Sequence, residues 1–208
     1  VDNRIVITWG DPAYGGDSSA VASQLSSGVT NIYSTGRAFA ALKSDGSVIT
    51  WGDPQYGGDS TSPYMDAFTR VQITVDLSSG VSNIYSNFRA FTALKVDGSV
   101  ITWGDPQYGG SSNIVSSDLS SDVIKIYPSS FGFTALKDDG SVTAWGGIYW
   151  DGDSSAVSAD LLSGLINIYT IANMFDNNVG FSSGFTALKP NGRATTWEDT
   201  SFSGDPGF

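Results

Sequence analysis

Residues 38–52 read A-F-A-A-L-K-S-D-G-S-V-I-T-W-G. Two apolar runs joined through Asp-Gly are the pattern of a β-hairpin. The pattern returns at 90–104 (A-F-T-A-L-K-V-D-G-S-V-I-T-W-G), at 132–146 (G-F-T-A-L-K-D-D-G-S-V-T-A-W-G) and at 184–198 (G-F-T-A-L-K-P-N-G-R-A-T-T-W-E). Its turn dipeptides, Asp45-Gly46, Asp97-Gly98, Asp139-Gly140 and Asn191-Gly192, tolerate positive φ and predict type I′ turns. Upstream of each hairpin lies a short apolar strand with Ile32-Tyr33, Ile84-Tyr85, Ile126-Tyr127 or Ile168-Tyr169 at one station. Downstream of the first two Trp-Gly pairs comes Asp-Pro-x-Tyr-Gly-Gly-Asp. Asp17 or Ser18 is placed to cap a short helical turn in the first of these segments, and Gly28 to end it.

The station tryptophans, Trp9, Trp51, Trp103, Trp145 and Trp197, are 42, 52, 42 and 52 residues apart. The longer spacings carry unrelated insertions, before Ser78 in the second unit and after Tyr169 in the fourth, so the basic unit has 42 residues. The chain divides into units at 9–50, 51–102, 103–144 and 145–196, with an extra strand at 4–9 and a tail at 198–208. A three-strand unit of this size cannot bury its own faces, so neighbouring units must stack. The expectation is an all-β, propeller-type repeat protein of four units, each of three to four strands, in a single domain with short helical turns between units. The Val-x-Thr-Trp strand occurs five times and the other stations four times. The extra copy at 4–9 is therefore expected either to close a ring on the last unit or to pair with a neighbouring subunit.

The order A-L-K-x-D-G-S-V-I-T-W-G followed by Y-G-G-D resembles the repeat of the regulator of chromosome condensation family of β-propellers, over essentially the whole chain. The G-G-D-S-S variant is similar to repeats in large proteins of marine cyanobacteria and dinoflagellates. This resemblance implies a propeller fold. The founding member of the family is a nucleotide-exchange factor that also binds chromatin, a function that the repeat signature itself does not carry.

Composition narrows the function. The 208 residues carry 21 acidic against 10 basic groups, a formal net charge of -11, which repels nucleic acid and anionic membranes. With no Cys and no His, disulfides, imidazole bases and His-dependent nucleophiles are excluded. No apolar run is long enough to span a membrane. Acidic residues recur in every unit instead of converging at one place, which argues against an enzyme and, with it, against any required cofactor.

Three sets of residues are candidates for binding. The pairs Asp11 with Asp17 and Asp53 with Asp59 offer oxygen ligands on Gly-rich loops that suit calcium, although turn and cap formation also explains them. Tyr14, Tyr56, Tyr108 and Trp150 stand five residues after a station Trp, where a ring can stack on a sugar or simply pack. The insertions contain Tyr64, Met65, Phe68 and Arg70, then Met174, Phe175 and Phe181, adaptable apolar groups that suit a protein partner or fill a channel. Lys43, Lys95, Lys137 and Lys189 mark one rim beside the hairpin turns. The reading is a non-catalytic scaffold for protein interaction or assembly with other subunits or with itself, extracellular or at a cell surface. The alternative is a lectin-like propeller assisted by calcium.

Overall fold

The computed structural model describes residues 5–61, 64–65, 72–73, 75–146, 164–173 and 182–198. Strands β1 (Val29–Ser34), β2 (Ala38–Lys43) and β3 (Val48–Gly52) form the first three-stranded sheet, in that order. A two-stranded pairing of β4 (Tyr64–Met65) with β5 (Gln72–Ile73) falls within the first insertion. The pattern of three resumes in β6 (Val81–Ser86), β7 (Ala90–Lys95) and β8 (Val100–Gly104), then β9 (Val123–Pro128), β10 (Gly132–Lys137) and β11 (Val142–Gly146). It closes with β12 (Asn167–Asn173), β13 (Ser182–Leu188) and β14 (Ala194–Glu198). All pairings are antiparallel. The fold is the expected all-β repeat of propeller type, with 3-10 turns such as Pro12–Tyr14 and Ser19–Val21 between sheets.

Two cross-strand pairs define each sheet. Phe39 faces Trp51, Phe91 faces Trp103 and Phe133 faces Trp145 in register. Their rings stack with centroids 5.3, 5.2 and 5.7 Å apart. Each buried Trp then reaches into the preceding unit: Trp51, Trp103 and Trp145 donate Nε1–H to the carbonyls of Gly15, Gly57 and Gly109 at 3.0, 3.1 and 3.1 Å. The indole polar group is satisfied while its rings stay buried, worth roughly 1.5–3 kcal/mol for each large side chain.

The core lies between sheets, where alternation along a strand turns one face to each neighbour. Leu42, Ala40 and Val48 of the first sheet pack with Leu77, Val81, Ile84 and Phe91 of the second. The next junction repeats this set with Leu94, Leu119, Val123, Ile126 and Phe133, and the third with Leu136, Leu165, Ile168 and Phe185. The first strands of the four sheets lie side by side. Tyr33 donates its hydroxyl to Asn83 Oδ1, and Tyr127 to Asn167 Oδ1, each at 2.7 Å.

Two expectations are corrected. The Asp-Gly hairpins are not type I′, because among the described residues Asp122 alone of the non-glycines has positive φ. Gly46 (φ 79°) closes the turn onto the Lys43 carbonyl, and Lys43 pairs with Ser47, the arrangement of a longer hairpin loop with one left-handed residue. The Asp prepares that loop from its side chain instead: Asp45 Oδ1 accepts from the Ser47 amide and hydroxyl at 2.9 and 2.6 Å. The second correction concerns the extra strand, since Ile5–Trp9 belongs to no sheet among the described residues. A third-strand sequence needs the middle strand of a hairpin as its partner, and here none precedes it.

Candidate functional site

The connections from first to second strand gather at one end of the stack. They are residues 35–37, 87–89 and 129–131, with 174–181 making the same connection in the fourth unit. Each begins with a small polar residue whose side chain folds the turn: Ala38 donates to Thr35 Oγ1, Arg89 and Ala90 to Asn87 Oδ1, and Gly132 to Ser129 Oγ. The same side chains tie down the loop that follows, with Thr35 donating to the Tyr56 carbonyl at 2.9 Å and Asn87 to the Tyr108 carbonyl at 2.7 Å. Adjacent connections are joined directly, Gly36 N–H to the Phe88 carbonyl at 2.8 Å.

A cavity of about 450 Å³ opens between three of these connections. Ser34, Thr35, Ser86, Asn87, Phe88 and Ser130 are among its lining residues. The side chains are neutral and short, and Ser130 is buried with no hydrogen-bond partner for its hydroxyl. Beside the cavity runs a ladder of alternating cations and rings. The Arg37 guanidinium lies 4.8 Å from the Tyr14 ring centre and 5.0 Å from that of Tyr56, while Arg89 lies 4.9 Å from Tyr56 and 5.0 Å from Tyr108. Asp105 accepts from Arg89 at 3.2 Å, and Asp53 lies 3.8 Å from Arg37. Phe131 takes the arginine's place in the third unit, its ring 5.2 Å from that of Tyr108.

This ladder decides what the tyrosines can do. Tyr56 is buried with a guanidinium against it from each neighbouring connection, so it offers no open face to a sugar. Tyr108 packs between Arg89 and Phe131, and Tyr14 at the end of the ladder is about half exposed. Arg37 and Arg89 were not legible as a site in the sequence. They occur in two units only, and their signal was the Tyr five residues after each Trp, which supplies the surfaces they stack on.

The aspartates do structural work. Asp11 and Asp53 each accept an amide two residues on, Ala13 and Gln55, at the start of a 3-10 turn. Asp17 accepts from Ser19 at 2.8 Å, and that backbone bond, followed by the Ser19 hydroxyl, holds its carboxyl below the usual range. Asp59 accepts from the amide and hydroxyl of Thr61. No group of three or more acidic side chains placed to hold a metal occurs among the described residues. Of the insertion candidates, Tyr64 and Met65 lie on β4. Phe68, Arg70, Met174, Phe175, Phe181 and Trp150 lie outside the described residues, as do 199–208 of the tail. On the opposite rim, Lys43 donates to the Gln24 carbonyl at 2.9 Å instead of reaching its turn aspartate.

No protein-family model matches the sequence, and neither does any curated protein. Solved structures do resemble it. The chain is similar to human WBSCR16, at 18% identity and a TM-score of 0.48, over 82% of this chain and 47% of that one. It is similar to yeast RCC1 (Prp20) in the crystal structure with Kap60, at 18% identity and TM-score 0.46, over 82% and 43%. The computationally designed Ika4 protein matches at 16% identity and TM-score 0.36, over 83% and 91%. The chain thus spans under half the length of the first two.

Proposed function

We propose that the chain is a non-catalytic scaffold that binds protein partners at the rim where the first-to-second strand connections gather. One observation carries this reading: a cavity of about 450 Å³ with neutral, short-chained walls opens there, on loops fixed by side-chain and inter-unit hydrogen bonds. Such a preformed recess with the Ser130 hydroxyl at its wall suits an uncharged, largely apolar side chain of a partner loop, with one polar contact. Rigid scaffolds that present variable loops are the usual platform for recognition. The Ser-, Thr-, Gly- and Asp-rich composition without Cys supports a setting outside the cell or on its surface.

Panning a random peptide library against the 208-residue chain tests the reading. Enriched peptides are expected to compete with one another and to lose binding at least tenfold in S86R, which fills the mouth, while keeping it in K43E on the opposite rim. Peptides indifferent to S86R, or no enrichment, overturn it.

A further inference from the structure

The three internal junctions are one joint made three times, and the two ends of the stack each hold half of it. At the leading end of the first unit, Asn31 is exposed where Asn83 and Asn167 accept a tyrosine hydroxyl. Ile32 is 48% exposed, against 2%, 1% and 2% for Ile84, Ile126 and Ile168. Trp9 is 83% exposed, against 5%, 1% and 1% for Trp51, Trp103 and Trp145. At the trailing end of the fourth unit, Tyr169 is 56% exposed, where Tyr127 is 8% exposed and bonded to the next unit's Asn.

The leading end is not bare, and what already occupies it defines what is missing. Val6 packs against the cluster of Leu25, Val29, Ala41 and Trp51, as Val48 packs at the next joint. Thr8 Oγ1 meets Ser18 Oγ at 2.9 Å, as Thr50 meets Ser60 at 3.0 Å. Residues 5–9 therefore already sit as the third strand of a unit that lacks its first two. Beside them a cavity of about 470 Å³ is lined by Val6, Trp9, Ile32 and Phe39.

The absent strands are those that bear the Tyr and Leu stations, and the fourth unit exposes that pair. Tyr169 on β12 is open, and Leu188 on β13 is half-buried where Leu42, Leu94 and Leu136 are buried. Its own third strand, A-T-T-W-E, is the weakest of the set, with exposed Ala194 where the others have Val48, Val100 and Val142. Val6-Ile7-Thr8-Trp9-Gly10 matches the strong V-I-T-W-G form of β3 and β8, and β-branched residues favour it on a half-buried sheet.

We infer that a second copy of this chain seats its β12–β13 hairpin in the leading-end notch. Residues 5–9 replace β14 as the third strand of that unit, and Tyr169 of the second copy donates to Asn31. The occupant is another molecule because the joint repeats with the same bonds at each step. Four units turned by that fixed step leave both Ile32 and Tyr169 uncovered, so the chain does not meet its own end. The contact is heterologous, head to tail.

Light scattering across a concentration series tests this with the intact chain. A mass rising from 21.8 kDa to at least twice that value is expected. I32R blocks one end and Y169R the other, both at positions exposed in the isolated chain, so folding is preserved. Each variant alone is expected to stay monomeric, and an equimolar mixture to form a one-to-one dimer, since one intact end of each kind remains. Hydrogen exchange should show amides 6–9 gaining protection on association while 195–198 lose it. A monomer at every concentration, an association unmoved by either arginine, or an assembly in which 195–198 stay protected overturns the inference.

Discussion

The same tryptophan does different work at different stations. Trp103 is 1% exposed, stacked on Phe91 and bonded to Gly57, whereas Trp9 has the same sequence around it and lies in solvent. Trp103→Ala is therefore expected to cost about 3–5 kcal/mol in chemical denaturation, while Trp9→Ala costs under about 0.5 kcal/mol in the dilute chain. Thr92 and Thr134 are fully buried, and neither hydroxyl has a hydrogen-bond partner; Ala40 occupies their station in the first unit. Thr92→Val keeps the shape and removes the desolvated hydroxyl, so a neutral to roughly 1 kcal/mol stabilising effect is expected from urea unfolding. The turn carboxyls of Asp45, Asp97 and Asp139 are held below the ordinary value, first by the hydroxyl and then by the amide of the serine two residues on. Their lowered folded-state pKa makes their contribution to stability full above about pH 4, the unfolded value, and lost as pH falls through the folded values. The triple variant D45N/D97N/D139N should flatten the acid limb of a stability profile below about pH 4 and leave the neutral range level, because no histidine titrates there.

At the scale of the element, the loop after each Trp-Gly is shaped by the unit that follows it. Gly57 has φ 88°, and a Cβ there would meet Phe91 at 2.7 Å and Trp103 at 3.2 Å. Gly57→Ala combines backbone strain with overpacking and should lower stability by about 2–4 kcal/mol, whereas Gly10→Ala, with nothing within 4 Å, carries only the backbone part. Thermal unfolding of the two variants separates these contributions. Much of this was legible beforehand, because one residue type at one station four times over means one environment: the Phe, Leu, Ile and Trp stations lie where the hairpin pattern put them. The turn type was not legible, since Asp-Gly serves two hairpin loops and the choice rests on the serine after it. The Arg–Tyr ladder was hidden for another reason. Its members are 19–23 residues apart within a step and come together only when adjacent units stack. The acidic loops looked like ligands for a cation because a cap and a ligand set use the same carboxylates.

Across the whole molecule, stability is a sum of units and joints. The central sheets have a joint on each side and the outer two have one. Hydrogen exchange should therefore find the amides of β7 and β10 most protected and those of β14 the first to open; uniform protection across all four sheets would show a single cooperative block instead. The net charge of -11 acts on the same scale, and added salt should raise the midpoint of unfolding by relieving self-repulsion. The bond from each Trp back to the preceding glycine carbonyl has a consequence for how the molecule is made. During synthesis the chain emerges from its first unit onward, and each Asp-Pro-x-Tyr-Gly-Gly loop waits for an indole that has not yet been translated. At every moment the nascent protein holds one unfinished loop at its growing edge. Each new tryptophan completes the unit before its own, so the protein is finished one step behind the ribosome.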